Sequence, residues 1–413
     1  MPTGKPTEAI LIHFSGPDAP GLTAGITSVL ASHNVSILDI GQAVVHENLA
    51  LGMLVEIPSG FDFAPVKSAL VNRAHELGLQ AHCKKIPQNA VKHWLRGLRD
   101  EHFVHFIITV LGRCITFLQI ARISAIVAAH GMNIDRIERL SGQLCVGPET
   151  ENACIELSVS GDISREKGMR AEFLAVAQEL SIDIAFQRES IFRRNRRLFA
   201  FDMDSTLIQG EVIDELAKMA GVGDQVARIT EAAMRGELVF DESFTRRVAL
   251  LKGLSAERVH SLLDSIPLAD GAERLVRTLK LLGYKTAILS GGFNFFARSL
   301  QDRLGIDYIH SNELEIADGV VTGRVIPPIV NGARKAALLA EIAAREGISL
   351  EQVVAVGDGA NDIPMLELAG MGIAYRAKPL VRQNADQSIS FLGLDGLLYL
   401  IGVRDRDLQH QEP

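Results

Sequence analysis

Cysteine is scarce in this chain, with four in 413 residues, at positions 83, 114, 145 and 154. None forms a Cys-x-x-Cys pair, and none is spaced with histidine as a zinc ligand set. The expectation is free thiols in a reducing, cytoplasmic setting rather than a disulfide framework. Positive charge is not in excess either: 42 Lys and Arg against 50 Asp and Glu leave a net charge of −8, which argues against a nucleic-acid coat. One local exception, the RRNRR run from Arg193 to Arg197, reads as a solvated linker rather than a phosphate-binding strip. Long hydrophobic runs are also missing. The longest apolar stretch, 107–129, is interrupted by Arg113, Gln119 and Arg122, so no membrane span is expected. The opening MPTGKPTEAI lacks a charged segment followed by an apolar one, so no secretory leader is expected. Neither a membrane nor a nucleic acid is therefore expected as a partner.

What is present is the composition of a soluble globular protein, 47% apolar and 22% charged. The length is too great for one ordinary core, and two or three domains are expected. The front half contains a repeat. A strand over Ala9–Phe14 and a helix over Leu22–His33 are followed by strands near Val35–Val45 and Leu49–Ile57, a helix over Ala64–Leu77 and a strand ending near Ile86. The same βαββαβ order returns after Trp94, from a strand over Phe103–Val110 to a strand over Ile182–Phe186. His33-Asn34-Val35-Ser36-Ile37 lines up with His130-Gly131-Met132-Asn133-Ile134. Two copies of one small α+β unit are predicted, at 8–88 and 101–188. A linker at 189–197 follows.

From Leu198 strands and helices alternate, the pattern of a doubly wound parallel sheet over 198–402. Helices from Glu211 to about residue 268 interrupt it directly after the first strand and are predicted to form a cap over the sheet's carboxyl edge. The polar tail, 403–413, is expected to be disordered. The first strand, Leu198–Phe201, ends in Asp202-Met203-Asp204-Ser205-Thr206. Carboxyl ends of parallel strands are where side chains leave the core for chemistry, and two acids there repel unless a cation or a proton intervenes. The strand at Lys285–Leu289 ends in Ser290-Gly291-Gly292, a hydroxyl with freely approaching backbone N–H groups suited to phosphate oxygens. Lys335 falls in the first turn of a helix, where a cation opposes the helix dipole and gains a reason only if it faces an anion. The strand Val353–Val356 ends in Gly357-Asp358-Gly359-Ala360-Asn361-Asp362. This second acidic cluster can supply opposing ligands for a hard cation such as Mg2+.

In this order the motifs resemble the haloacid-dehalogenase superfamily, and the repeats resemble ACT domains, small modules that bind amino acids and pair with one another. The first copy carries the closer match, in Gly16-Pro17-Asp18-Ala19-Pro20-Gly21. Over about 197–389 the chain is similar to phosphoserine phosphatases, through GEVIDELA at Glu211, the stretch MRGELVFDESFTRRVALLKGL and LSGGF. The resemblance implies an HAD-type Rossmann-like sheet with a helical cap behind two ACT-like domains, hydrolysing O-phospho-L-serine as the last step of serine synthesis. It implies Asp202 as nucleophile, Asp204 as general acid and base, and Mg2+ held by Asp202, Asp358 and the Asp204 carbonyl. Ser290, Gly291 and Lys335 would hold the phosphoryl oxygens, with Asp362 orienting Lys335 and Asn361 beside them. Glu211 would meet the substrate ammonium and Arg247 its carboxylate, with Met234 and Phe240 closing the apolar side. A serine effector and a homodimer through the ACT-like domains are implied as well. Two alternatives stand beside this: a phosphatase or phosphotransferase for another small phosphomonoester such as phosphohomoserine, and a non-catalytic amino-acid sensor.

Overall fold

The computed structural model describes residues 7–33, 35–58, 60–87, 90–91, 103–142, 152–162, 164, 166–263 and 265–408. Trp94, Cys145 and the tail beyond Leu408 lie outside them. The chain divides into two compact units, Met1–Phe103 and Val104–Pro413.

In the first unit β1 (Thr7–Pro17), α1 (Leu22–Ser32), β2 (Ser36–Val45), β3 (Asn48–Pro58), α2 (Ala64–Glu76) and β4 (Gln80–Ile86) follow in the expected order. The strands form an antiparallel sheet in the order β2-β3-β1-β4. Alternation along β3 turns Leu49, Leu51, Met53 and Val55 onto the helices, where they meet Ile12, Phe14, Ile26 and Leu70.

The second unit opens with the repeat: β5 (Phe103–Gly112), α3 (Phe117–Ala129), β6 (Asn133–Arg139), β7 (Ala153–Asp162), α4 (Glu166–Leu180) and β8 (Asp183–Arg188). Its sheet order, β6-β7-β5-β8, reproduces the first. Thr116 and Gln119 form a reciprocal capping box that starts α3. The RRNRR run that follows is not the solvated linker expected. Arg193 and Arg196 are buried, and Arg193 pairs with Glu156 of β7 in the interior. Arg196 donates to the Glu351 carbonyl, while Arg194 and Arg197 face solvent.

The doubly wound domain then runs β9 (Leu198–Phe201), α5 (Val212–Ala220), α6 (Gly223–Met234), α7 (Phe240–Ala249), α8 (Ala256–His260), α9 (Ala272–Leu281), β10 (Lys285–Phe293), α10 (Asn294–Leu304), β11 (Tyr308–Ala317), β12 (Val320–Ile326), α11 (Gly332–Arg345), β13 (Val353–Gly357), α12 (Ile363–Leu368), β14 (Met371–Tyr375), α13 (Pro379–Asn384) and β15 (Gln387–Ile389). The sheet order is β12-β11-β10-β9-β13-β14-β15. All neighbours are parallel except the β11–β12 hairpin. β9 is flanked by β10 and β13, so the strand order reverses beside it, the position at which open α/β sheets bind ligands. β10 is longer than expected: it continues through Ser290-Gly291-Gly292, with an irregular register against β11 between Leu289 and Phe293. The α5–α8 insert leaves and re-enters at one stem, closed by the Ile208–Leu268 bridge and by Ala269 N–H donating to the Leu207 carbonyl at 2.8 Å. Of the 403–413 tail for which disorder was expected, residues 403–408 are described. Asp405–Leu408 is a helical turn, Leu408 is buried, and Asp405 accepts from Tyr399 and from the Gly142 N–H at 2.8 Å. A buried leucine and a paired aspartate give this polar segment the interior contacts its composition concealed.

Candidate active site

Parallel pairing of β9 with β13 sets Phe201 beside Val356, so the acids that follow each strand emerge side by side. The Asp202 N–H donates to the Val356 carbonyl at 2.9 Å, locking that register at the sheet edge. Lys335, on the first turn of α11, is wholly buried between Asp202 at 2.9 Å and Asp362 at 2.6 Å. The surface position open to a lysine there is therefore not the one it takes. Burial alone pushes the ammonium down, but Asp202 and Asp362 outweigh it and hold it above its ordinary value.

The remaining oxygen of Asp362 accepts from the Asp358 and Gly359 N–H groups at 3.1 and 2.9 Å, folding the acidic turn around it. Gly357 has no room for a side chain: a Cβ there would lie 2.5 Å from the Asp362 carboxyl. Asp202, Asp358 and Asp362 bring carboxylate oxygens within 4.8 Å of one another. Those of Asp362 are taken up by the lysine and the turn, so Asp202 and Asp358 face each other with oxygen ligands free. The Asp358 carboxyl is pushed up to about 8, first by burial and then by the Asp202 charge. Paired hard-oxygen donors whose mutual repulsion exceeds the charge of one lysine are the chemistry a small dication fits.

Asp204 points away from this pair. Its carboxylate accepts the Val212 N–H at 2.9 Å, at the start of α5, and its other oxygen presses on Gly292, where a Cβ would be 2.2 Å away. Burial, then Glu211 and Asp202, push the Asp204 carboxyl well above its ordinary range. Glu211 stands at the N-terminal boundary of the cap domain's first helix, and its side chain accepts from the Ser205 hydroxyl at 3.0 Å. It too is pushed up, by burial and by Asp202. Arg247 of α7 is half-buried, whereas Arg246 is exposed and paired with Glu242 at 2.5 Å. Burial lowers the Arg247 guanidinium, opposed chiefly by Glu211, so the two face the same space with opposite charge.

Ser290 is buried, with its hydroxyl accepting the Gly292 N–H at 2.9 Å. Phe240 lies directly over Gly291, where a Cβ would meet its ring at 2.8 Å. Asn361 is half-buried beside Gly359, within 2.4 Å of where a Cβ would stand. Met234 is not drawn in: it is 62% exposed at the end of α6, with its sulfur 3.9 Å from the Lys378 ammonium. Three further residues belong to the site. Thr206 donates to Asp358 at 3.3 Å. Ser205 orients Glu211 from a left-handed backbone, φ 56°. Asn312, fully buried, donates to the Gly291 carbonyl at 2.8 Å and accepts the Val330 N–H at 2.7 Å. The first two lie in the DMDST run; nothing in the local sequence marks Asn312, whose role exists only through β10–β11 pairing.

Carboxylates, a buried lysine and a strand-borne serine converging at the switch point of this sheet define a haloacid dehalogenase-like hydrolase, here behind two ACT domains. Comparison agrees: residues 196–370 match the haloacid dehalogenase-like hydrolase family, and 8–84 and 104–187 each match an ACT domain. The chain is 41% identical over 404 residues to a phosphoserine phosphatase of Streptomyces coelicolor, covering 97% of this chain and 93% of that one. It is 40% identical over 402 residues to one from Mycobacterium tuberculosis, covering 97% and 95%. Among solved structures, a HAD family hydrolase from Salmonella enterica serovar Typhi matches with TM-score 0.62 at 32% identity, over 72% of this chain and 99% of that one. An unliganded probable phosphoserine phosphatase from Vibrio cholerae matches with TM-score 0.57 at 32% identity, over 74% and 89%. The chain belongs to the phosphoserine phosphatase family.

Proposed function

We propose that this protein hydrolyses O-phospho-L-serine to L-serine and phosphate, closing serine synthesis, through an aspartyl-phosphate on Asp202. The observation that carries the reading is the wholly buried Lys335 held between Asp202 and Asp362, with Asp358 opposite. A buried cation that meets two carboxylates beside a strand-terminal nucleophile is arranged to hold a phosphoryl group. Ser290 and the Gly291 N–H complete that cradle, and Asn361 flanks it. Asp202 attacks phosphorus in line while Asp204, protonated at the start, gives its proton to the departing seryl oxygen. Asp204 then takes a proton from the water that cleaves the acyl phosphate. Asp202, Asp358 and the Asp204 carbonyl would hold Mg2+, which when bound neutralises phosphate charge and lets an anionic nucleophile approach. Glu211 receives the substrate ammonium and Arg247 its carboxylate, a fork suited to bidentate contact, while Phe240 closes the apolar side. Serine as effector at the ACT domains, and a homodimer through them, complete the proposal.

The test is phosphate release from L-phosphoserine with Mg2+, with and without added serine. Asp202→Asn should lower kcat by at least ~10³, the scale of losing a covalent nucleophile, with unchanged thermal unfolding, and chelation should silence the wild type. More than a few per cent of activity in that variant would remove Asp202 from the role.

A further inference from the structure

Among the side chains that cross the seam between cap and catalytic domain, one has two duties. Asn331 is the N-cap of α11, its amide oxygen accepting the Arg334 N–H at 3.1 Å. Its amide nitrogen donates to both carboxylate oxygens of Asp241, at 3.1 and 3.2 Å, across the seam on α7. Each end of this bridge is one step from the reacting groups. Asp241 follows Phe240, whose ring rests on Gly291 of the phosphate cradle. The Lys335 N–H donates to the Asn331 carbonyl at 2.8 Å, so the first turn that Asn331 caps is the turn that carries Lys335. Asp241 lies in the first turn of its own helix, where the dipole favours a carboxylate.

We propose that Asn331 is a positioning residue that latches the cap shut by holding Asp241 and, through the same amide, fixes the helix start that presents Lys335. The inference rests on the phosphoserine reading in that the cap carries the substrate's ammonium and carboxylate partners. A latch present in both the bound and the reacting complex contributes to binding in each alike, so its loss falls on KM rather than kcat.

The test exchanges donor and acceptor. Asn331→Asp keeps an N-cap acceptor but sets a second carboxylate against Asp241. Adding Asp241→Asn restores a donor–acceptor pair in reverse order, at the wild type's net charge. In the full-length, Mg2+-loaded protein the single variant should raise KM for phosphoserine about five- to tenfold, the scale of one ordinary net hydrogen bond. Its kcat should stay within about twofold. Amide exchange across 240–249 should speed up and the melting temperature should not move. The double variant should return both KM and exchange to wild-type values. Unchanged KM and exchange in the single variant overturn the latch, as does a double variant as impaired as the single. Should the wild type fail to hydrolyse phosphoserine, the functional reading falls, and the exchange measurement still decides the latch.

Discussion

The two βαββαβ units share strand order and helix placement, and they differ in what meets their edge strands. In the second copy the β8 edge is occupied by the catalytic domain, while β6 meets it only through Glu138. The Gln387 side chain pairs with the free backbone of β8, donating to the Phe186 carbonyl at 2.9 Å and accepting its N–H at 2.8 Å. The Asp183 carboxylate accepts three consecutive N–H groups, from Ser390, Phe391 and Leu392. At the opposite edge Glu138 of β6 pairs with Arg404 at 2.9 Å. In the first copy β2 is exposed along most of its length. Ile37, Ile40 and Val44 lie opposite Val55, Met53 and Leu49, on the face the helices cover elsewhere, yet are 55%, 47% and 43% exposed. One fold thus serves, through its β8 edge, as a fixed wall of the enzyme in the second copy, while the apolar face of β2 stays uncovered in the first.

The strongest way to break that comparison is truncation. Deleting 1–100 should leave the phosphatase active, with its melting temperature within about 3 °C of the full chain. Deleting 1–188 strips Glu156 from the buried Arg193, bares the β15 edge and uncaps the 390–392 amides. Its melting temperature should fall by ~10 °C or more, since each kcal/mol is worth about 2–4 °C in a domain of this size. Thermal unfolding of the two deletions, read beside phosphate release, decides it, and equal stability would dissolve the distinction between the copies.

Next in size is the interior pair itself. Arg193 and Glu156 are both buried, and Arg193 Nε and Nη1 have no hydrogen-bond partner among the described residues. Glu156→Ala should cost ~3–5 kcal/mol by leaving an uncompensated charge inside. Replacing both with apolar side chains, Glu156→Leu with Arg193→Met, should cost much less, because the desolvation penalty goes with the pair. Denaturant unfolding of single and double variants separates these outcomes. A single-variant loss under about 1 kcal/mol would mean that the pair is not what fixes the second copy.

Why this wall was not legible is physical. Strand-end motifs carry their chemistry locally, so DMDST, SGG and GDGAND announced Asp202, Ser290 and Asp358 without any knowledge of packing, and Lys335 stood out as a cation where a helix dipole disfavours one. The repeats were legible because periodicity repeats. Arg193, Asn312, Asn331 and Asp405 act through partners tens or hundreds of residues away, and their neighbours in sequence are those of an ordinary loop. A run of arginines looks solvated until a glutamate on another strand is found inside with it, and a polar tail looks disordered until Leu408 finds a core.

The smallest expected effect on stability is at the open edge of the first copy. Ile40→Lys and Val44→Lys place charge on side chains already close to half exposed, so each should shift unfolding by no more than about 0.5 kcal/mol. If the β2 face is where two chains meet, the same substitutions should convert a dimer to monomer, because a desolvated lysine on each side of a two-fold contact opposes association twice. Sedimentation velocity at matched concentrations gives the answer. An unchanged dimer would place the interface elsewhere and leave the docked β8 edge as the feature that separates the second copy from the first.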